Sequence, residues 1–227
     1  MKIFHLKIDK HAKIYVLTLF LLTIVFFTFS NFISIIFLIL LLFTVYFFRD
    51  PDRMVPVNPN LILSPADGII TFVGSFPAPK ETNLNNIEFN KVSIFLNIFN
   101  VHINRIPSKG KITSIKYIKG KFLSATLDKS SDKNERNIIS MEVKNKNKLI
   151  FVQIAGLIAR RIVSNLDLNQ KVNLGDRFGL IKFGSRVDLY IPKNIKLHVY
   201  KGQKVKGGET IFGDLENNLD TMGIEKK

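Results

Sequence analysis

From Ile14 to Phe48 the chain carries no charged residue and is almost wholly apolar, with Ser30-Asn31 the one polar pair. A helix buried in a soluble core rarely runs this long without charge, so the stretch reads as a membrane segment. Its length suits one long tilted span or two short helices that turn at Ser30-Asn31. Lys2, Lys7, Lys10 and Lys13 precede the run, and Arg49 and Arg53 follow it. Positive charge marks the cytoplasmic side, which puts both ends there and favours a hairpin. A cleaved signal peptide is disfavoured, because the apolar region is too long and no small-residue cleavage site follows.

The hairpin decides what the charge balance means. Lys+Arg 33 against Asp+Glu 18 gives +15 and a pI near 9.9, a balance that favours an anionic partner. No nucleic-acid recognition module is visible, and a chain already in the bilayer has anionic headgroups beside it. The expected partner is therefore an acidic lipid surface and not nucleic acid. With no cysteine, disulfides, thiol nucleophiles and cysteine-ligated metals are excluded. No His-Glu-x-x-His or clustered His/Asp/Glu spacing points to a metal, and no Gly-x-x-x-x-Gly-Lys phosphate loop is present.

The chain divides into a basic lead (1–13), the hairpin (14–48), a linker (49–60) with Pro51, Pro56 and Pro59, and a domain at 61–227. The domain shows short alternating segments punctuated by turns. Strands are expected at Leu61–Leu63, Ile69–Val73, Lys111–Ile118, Asn137–Val143, Leu149–Ile154, Leu180–Phe183, Arg186–Ile191 and Lys196–Val199. Val92–Ile106 reads as one long strand, its apolar face continuing through Asn100, His102 and Asn104. Ile158–Leu166 reads as a short helix. The expected fold is mostly β, a barrel or sandwich core behind an α-helical membrane hairpin.

Between two of those strands lies Gly184-Ser185. Glycine lacks a Cβ, so its carbonyl can be strained and approached closely, and Ser185 offers a hydroxyl from the next residue. That is the local chemistry of an N-to-O acyl shift. A tight turn is the plain alternative, and Gly74-Ser75 repeats the pair. Asp67, in Pro-Ala-Asp-Gly, is either a turn residue or a carboxylate that orients an imidazole. His102 sits where a buried polar group needs a partner. Asp67, His102 and Ser185 thus offer a triad, although Phe183-Gly184-Ser185-Arg186-Val187 lacks the second glycine of a hydrolase elbow. Arg160 and Arg161 stand paired in an apolar segment. They suit a phosphate or carboxylate, or a structural ion pair with Glu135, Glu142 or Asp176.

Taken in order, these segments resemble the phosphatidylserine decarboxylase family, most closely its short bacterial and archaeal branch. The residues that carry the resemblance are Phe48-Arg49-Asp50-Pro51-Asp52-Arg53, Ser64-Pro65-Ala66-Asp67-Gly68, Asn100-Val101-His102-Ile103-Asn104-Arg105, Asn134-Glu135-Arg136-Asn137, Gly156 to Val163 and Gly175 to Pro192. Longer members carry Leu-Gly-Ser-Thr where this chain has Phe-Gly-Ser-Arg, and a second histidine where it has Arg105. The resemblance implies a proenzyme that cuts itself between Gly184 and Ser185 into a β chain (1–184) and an α chain (185–227), which stay together as a heterodimer. It implies a pyruvoyl group made from Ser185, which takes the amine of phosphatidylserine as a Schiff base and serves as electron sink in place of pyridoxal phosphate. His102 would be the base, Asp67 its orienting partner, and Arg160, Arg161 and Arg105 candidates for the substrate's anionic groups. The product would be phosphatidylethanolamine, made at the cytoplasmic face of the cell membrane. Two other readings compete. Gly202-x-x-Val205-x-x-Gly208-Glu209-x-Ile211 looks like the closing hairpin of lipoyl- and biotinyl-type domains, and so fits a membrane-anchored barrel-sandwich carrier. A triad hydrolase acting on lipid is the other.

Overall fold

The computed structural model describes residues 7–84, 87–120, 133–156, 161–182 and 185–218. It divides into two compact units, Met1–Asp52 with Phe99–Val101, and Arg53–Ile98 with His102–Lys227.

The first unit is a helical hairpin. A 3₁₀ turn at Lys10–Ala12 leads into α1 (Lys13–Phe27), and α2 (Asn31–Phe47) returns after a turn near Ser30, where the sequence placed it. The helices are joined by Ser34 Oγ, which donates to the Thr23 carbonyl at 2.9 Å, and by the Phe26 and Phe37 rings at 5.1 Å. The remaining apolar surface, Phe27, Phe29 and Phe32 included, stays exposed. The 18 residues Lys10–Phe27 are long and apolar enough to cross a membrane, about 27 Å of helix against about 30 Å of hydrocarbon. The two ends of the hairpin are stitched together by Asp9 N–H to the Phe48 carbonyl (3.0 Å) and Asp50 N–H to the Lys7 carbonyl (2.7 Å). Arg49 Nη2 and Tyr46 Oη both donate to the Phe99 carbonyl, at 2.7 and 3.2 Å.

The second unit is built from β1 (Leu61–Leu63), β2 (Gly68–Pro77), β3 (Glu88–Leu96), β4 (Ile103–Arg105), β5 (Gly110–Ile118), β6 (Arg136–Glu142) and β7 (Lys148–Ala155). It continues with β8 (Ile162–Ser164), β9 (Lys171–Val172), β10 (Arg177–Ile181), β11 (Ser185–Pro192), β12 (Lys204–Val205) and β13 (Ile211–Asp214). Eight strands form a curled half-barrel in the order β12-β2-β3-β11-β7-β6-β5-β9. Smaller sheets follow the orders β4-β10-β8 and β1-β13. Every pairing is antiparallel.

Both faces of the main sheet are covered near its centre. Ile94, Leu96, Phe151, Val187 and Leu189 point into the principal core with Phe178 and Phe212. Ile138, Ile150, Val152, Ile154 and Tyr190 form a second cluster on the opposite face. Successive side chains of a strand alternate between faces, so β11 serves both clusters.

The mostly β core with N-terminal helices agrees with the sequence. Three local readings do not. Val92–Ile106 is two strands, because β3 pairs in the main sheet and β4 in the small one. Asn97 to Val101, rich in turn-forming asparagine, carries the chain from one to the other. Lys196–Val199 makes no ladder, although His198 N–H still donates to the Phe212 carbonyl at 2.9 Å. Of Ile158–Leu166, residues 158–160 lie outside the described residues, and Ile162–Ser164 is strand β8 against β10.

Candidate active site

Ser185 is the first residue of β11, and its backbone is opposite Leu96 of β3 and Ala155 of β7. Ala155 turns both its backbone groups away from β11. Its N–H donates to the Glu135 carbonyl at 2.9 Å, and its carbonyl accepts from Asn134 Nδ2 at 2.9 Å. In an antiparallel ladder the hydrogen-bonded side alternates residue by residue, so the Ser185 backbone groups face Leu96. The head of the strand is thus set by the Asn134-Glu135 segment. Phe183, Gly184 and Arg160 lie outside the described residues.

His102 is buried, 1% exposed, and immediately precedes β4. Strand β4 pairs with β10 at Ile103↔Leu180 and Asn104↔Gly179, and β10 is the strand that leads to Ser185. His102 is thus one strand pairing away from the segment that precedes Ser185 in the chain.

Asp67 sits in a loop fixed from three sides. Ser64 Oγ donates to the Ala66 carbonyl at 2.7 Å, Ser64 N–H donates to the Thr210 carbonyl at 2.8 Å, and Arg105 N–H donates to the Pro65 carbonyl at 2.8 Å. The last bond ties the Asp67 loop to the strand that follows His102. Gly68 ends the loop, and a Cβ there would lie 2.2 Å from the Phe95 carbonyl oxygen. The Asp67 carboxylate accepts from Arg53 Nη2 at 3.0 and 2.8 Å and from the Gly207 amide at 2.8 Å. Those groups, not His102, hold it. An ionised carboxylate offers about four lone-pair sites, so capacity for one further donor remains.

Arg105 is buried, with Nη1 donating to the Gly175 carbonyl at 3.1 Å. It lines a cavity of about 430 Å³ with Val55, Leu174, Asp176 and Arg177. Arg161 is exposed. Among the described residues no group of three or more His, Cys, Asp or Glu side chains could hold a metal.

Two clusters at the head of β11 escaped sequence reading. Arg186 and Asp188 form a buried pair with Ser93 and Lys91 on one face. Asn137, Gln153 and Asn104 form a chain of amides across β6, β7 and β4. Glu135, besides holding Ala155, lies against Tyr117, and burial together with that carboxylate pushes the phenol up to about 12.

Strand β11 is paired with β3 from Ser185 to Pro192 and with β7 from Ser185 to Tyr190.

The fold defines a class, a mostly β core in a chain that also carries an N-terminal apolar helical hairpin. The family model described as phosphatidylserine decarboxylase matches residues 40–213. The phosphatidylserine decarboxylase proenzymes of Rickettsia typhi and Rickettsia prowazekii are each 47% identical over 221 residues, 97% of this chain and 96% of theirs. That of Rickettsia akari is 54% identical over 170 residues, 75% of this chain and 74% of its own. The chain belongs to the phosphatidylserine decarboxylase family. Proenzymes of this family carry a pyruvoyl group formed from a serine by self-cleavage.

Proposed function

We propose that the chain is a proenzyme that cuts itself between Gly184 and Ser185 and then converts phosphatidylserine to phosphatidylethanolamine and CO₂. The observation that carries this reading is the place of Ser185, directly after glycine and at the head of a central strand, inside the region that matches the family.

Ser185 Oγ attacks the Gly184 carbonyl carbon while His102 accepts the hydroxyl proton. The Gly184–Ser185 C–N bond breaks, leaving an ester and a free α-amine. Loss of the serine Cα proton then breaks the Cβ–O bond, and Gly184 departs as the carboxylate end of the 1–184 chain. Water displaces ammonia from the remaining fragment, leaving the pyruvoyl group amide-linked to Arg186. That group supplies the electron sink for decarboxylation. The protein's own residues do the rest. His102 returns a proton to the substrate carbon that has lost CO₂. Asp67, pinned by Arg53 and Gly207, uses its remaining capacity and its charge to favour the imidazolium. Arg105, with Arg160 and Arg161, attracts the phosphate and carboxylate of the headgroup.

Chains 1–184 and 185–227 stay associated through the ladders of β11. The hairpin keeps the enzyme on its substrate's membrane with the catalytic unit on the cytoplasmic side, as the basic residues at both of its ends indicate. The test is turnover of phosphatidylserine in vesicles by the purified protein. Equimolar CO₂ and phosphatidylethanolamine are expected, with none from Ser185→Ala.

A further inference from the structure

Asn104 follows His102 by two residues and is fully buried. Its Oδ1 accepts from Gln153 Nε2 at 2.9 Å, and Gln153 Oε1 accepts from Asn137 Nδ2 at 3.0 Å. The direction of this relay is set by a fourth group. Gln153 Nε2 also faces the Val163 carbonyl at 3.4 Å, and a carbonyl can only accept. With the nitrogen of Gln153 so committed, Asn104 presents its oxygen to the relay and turns its NH₂ group elsewhere. Asn104 Nδ2 has no hydrogen-bond partner among the described residues. Protein interiors leave few such donors unmet, and an N–H fixed in that condition is pre-organised for an acceptor that arrives later.

The place of this donor narrows what the acceptor is. Gln153 lies two residues along β7 from Ala155, the register partner of Ser185, so the two share a face of the sheet. Asn104 itself pairs with Gly179 on the strand leading to Ser185.

We propose that Asn104 is a catalytic residue whose carboxamide N–H is reserved for an oxygen bearing negative charge at the head of β11. That oxygen belongs either to the scissile carbonyl under attack or to the headgroup of bound phosphatidylserine. Gln153 is the positioning residue that keeps the donor turned outward from the relay. This inference rests on the decarboxylase reading.

The test uses the full chain in vesicles containing phosphatidylserine. It follows self-cleavage by intact mass, turnover by kcat and KM, and stability by thermal unfolding. Asn104→Leu removes the unmet donor, so its Tm is expected to stay within a few degrees of wild type while function falls at least about tenfold. Slowed cleavage would assign the oxygen to the scissile carbonyl. Normal cleavage with reduced kcat/KM would assign it to the substrate. Gln153→Glu leaves Asn104 in place but offers it only acceptors, so the N–H swings into the relay and the same step slows. If Asn104→Leu does not accumulate as folded protein, Gln153→Glu decides. Wild-type cleavage and turnover in either folded variant overturns the proposal. A wild-type chain that never cuts at 184/185 would instead overturn the decarboxylase reading itself.

Discussion

Arg186 and Asp188 lie two residues apart on β11 and turn to the same face, where Nε and Nη2 of the guanidinium meet the two carboxylate oxygens at 2.6 and 2.9 Å. Both residues are 2% exposed, and Arg186 directly follows Ser185, the first residue after the proposed cut. Arg186 Nη2 also donates to Ser93 Oγ at 3.0 Å, and Lys91 Nζ lies 3.4 Å from Asp188. The pair bolts the first turn of the side-chain pattern of β11 to β3.

Removing one partner of such a buried pair strands the other in a low-dielectric interior. Arg186→Met is expected to destabilise the protein by about 3 kcal/mol, read by denaturant unfolding in detergent. A change near zero would mean that Lys91 alone satisfies Asp188.

His102 and Asp67 are expected to act on the same step, self-cleavage. His102→Ala is expected to slow self-cleavage by about 10²–10⁴-fold, the range of a general base, in a mass time course. Asp67→Asn should slow it as well, whereas Arg53→Lys, which keeps a cation beside Asp67, should cost less than about tenfold. Equal losses in the two variants would make Asp67 a structural anchor for Arg53 and no partner of the imidazole.

Tyr117 reports on the Asn134-Glu135 segment. Its folded-state value of about 12 lies above the ordinary 10.0, with burial the larger cause and Glu135 the next. The fold therefore holds the neutral phenol more tightly than the unfolded chain does. That contribution is complete below pH 10 and is lost as pH climbs through about 12. Phenolate absorbance, taken as a difference against Tyr117→Phe, should show a titration that moves down in Glu135→Gln. An unmoved titration contradicts the contact.

The absence of cysteine makes single-thiol topology mapping direct. Lys10→Cys, before α1, and Val57→Cys, at a position 97% exposed after α2, should both react with an impermeant maleimide only from the cytoplasmic side. Labelling from opposite sides would replace the hairpin with a single span.

The sequence made the hairpin legible because an uncharged run with one polar pair admits few structures, and the helices do turn beside Ser30. It made β11 legible through strict alternation. It did not reveal that the polar side of that alternation is buried. Arg186 and Asp188 follow the pattern of a solvated face, yet they are buried on a face of the sheet where Ile138 of β6, Val152 of β7 and Tyr190 of β11 are buried as well. The break in Val92–Ile106 was hidden for a similar reason. Alternation continues through the loop, while membership of a sheet depends on strands far away in sequence. Asn104 was visible as part of a motif, but its unmet N–H follows from Gln153 and Val163, which no local pattern connects to it.

The central claim is that Ser185 becomes the end of a chain. Intact mass spectrometry of the purified protein, beside Ser185→Ala, tests it most directly. The account predicts two fragments for wild type, 1–184 and a 185–227 fragment with the mass of a pyruvoyl end, and a single uncut chain for the variant. An uncut wild-type chain that still decarboxylates phosphatidylserine, or a cut that persists in Ser185→Ala, would contradict it.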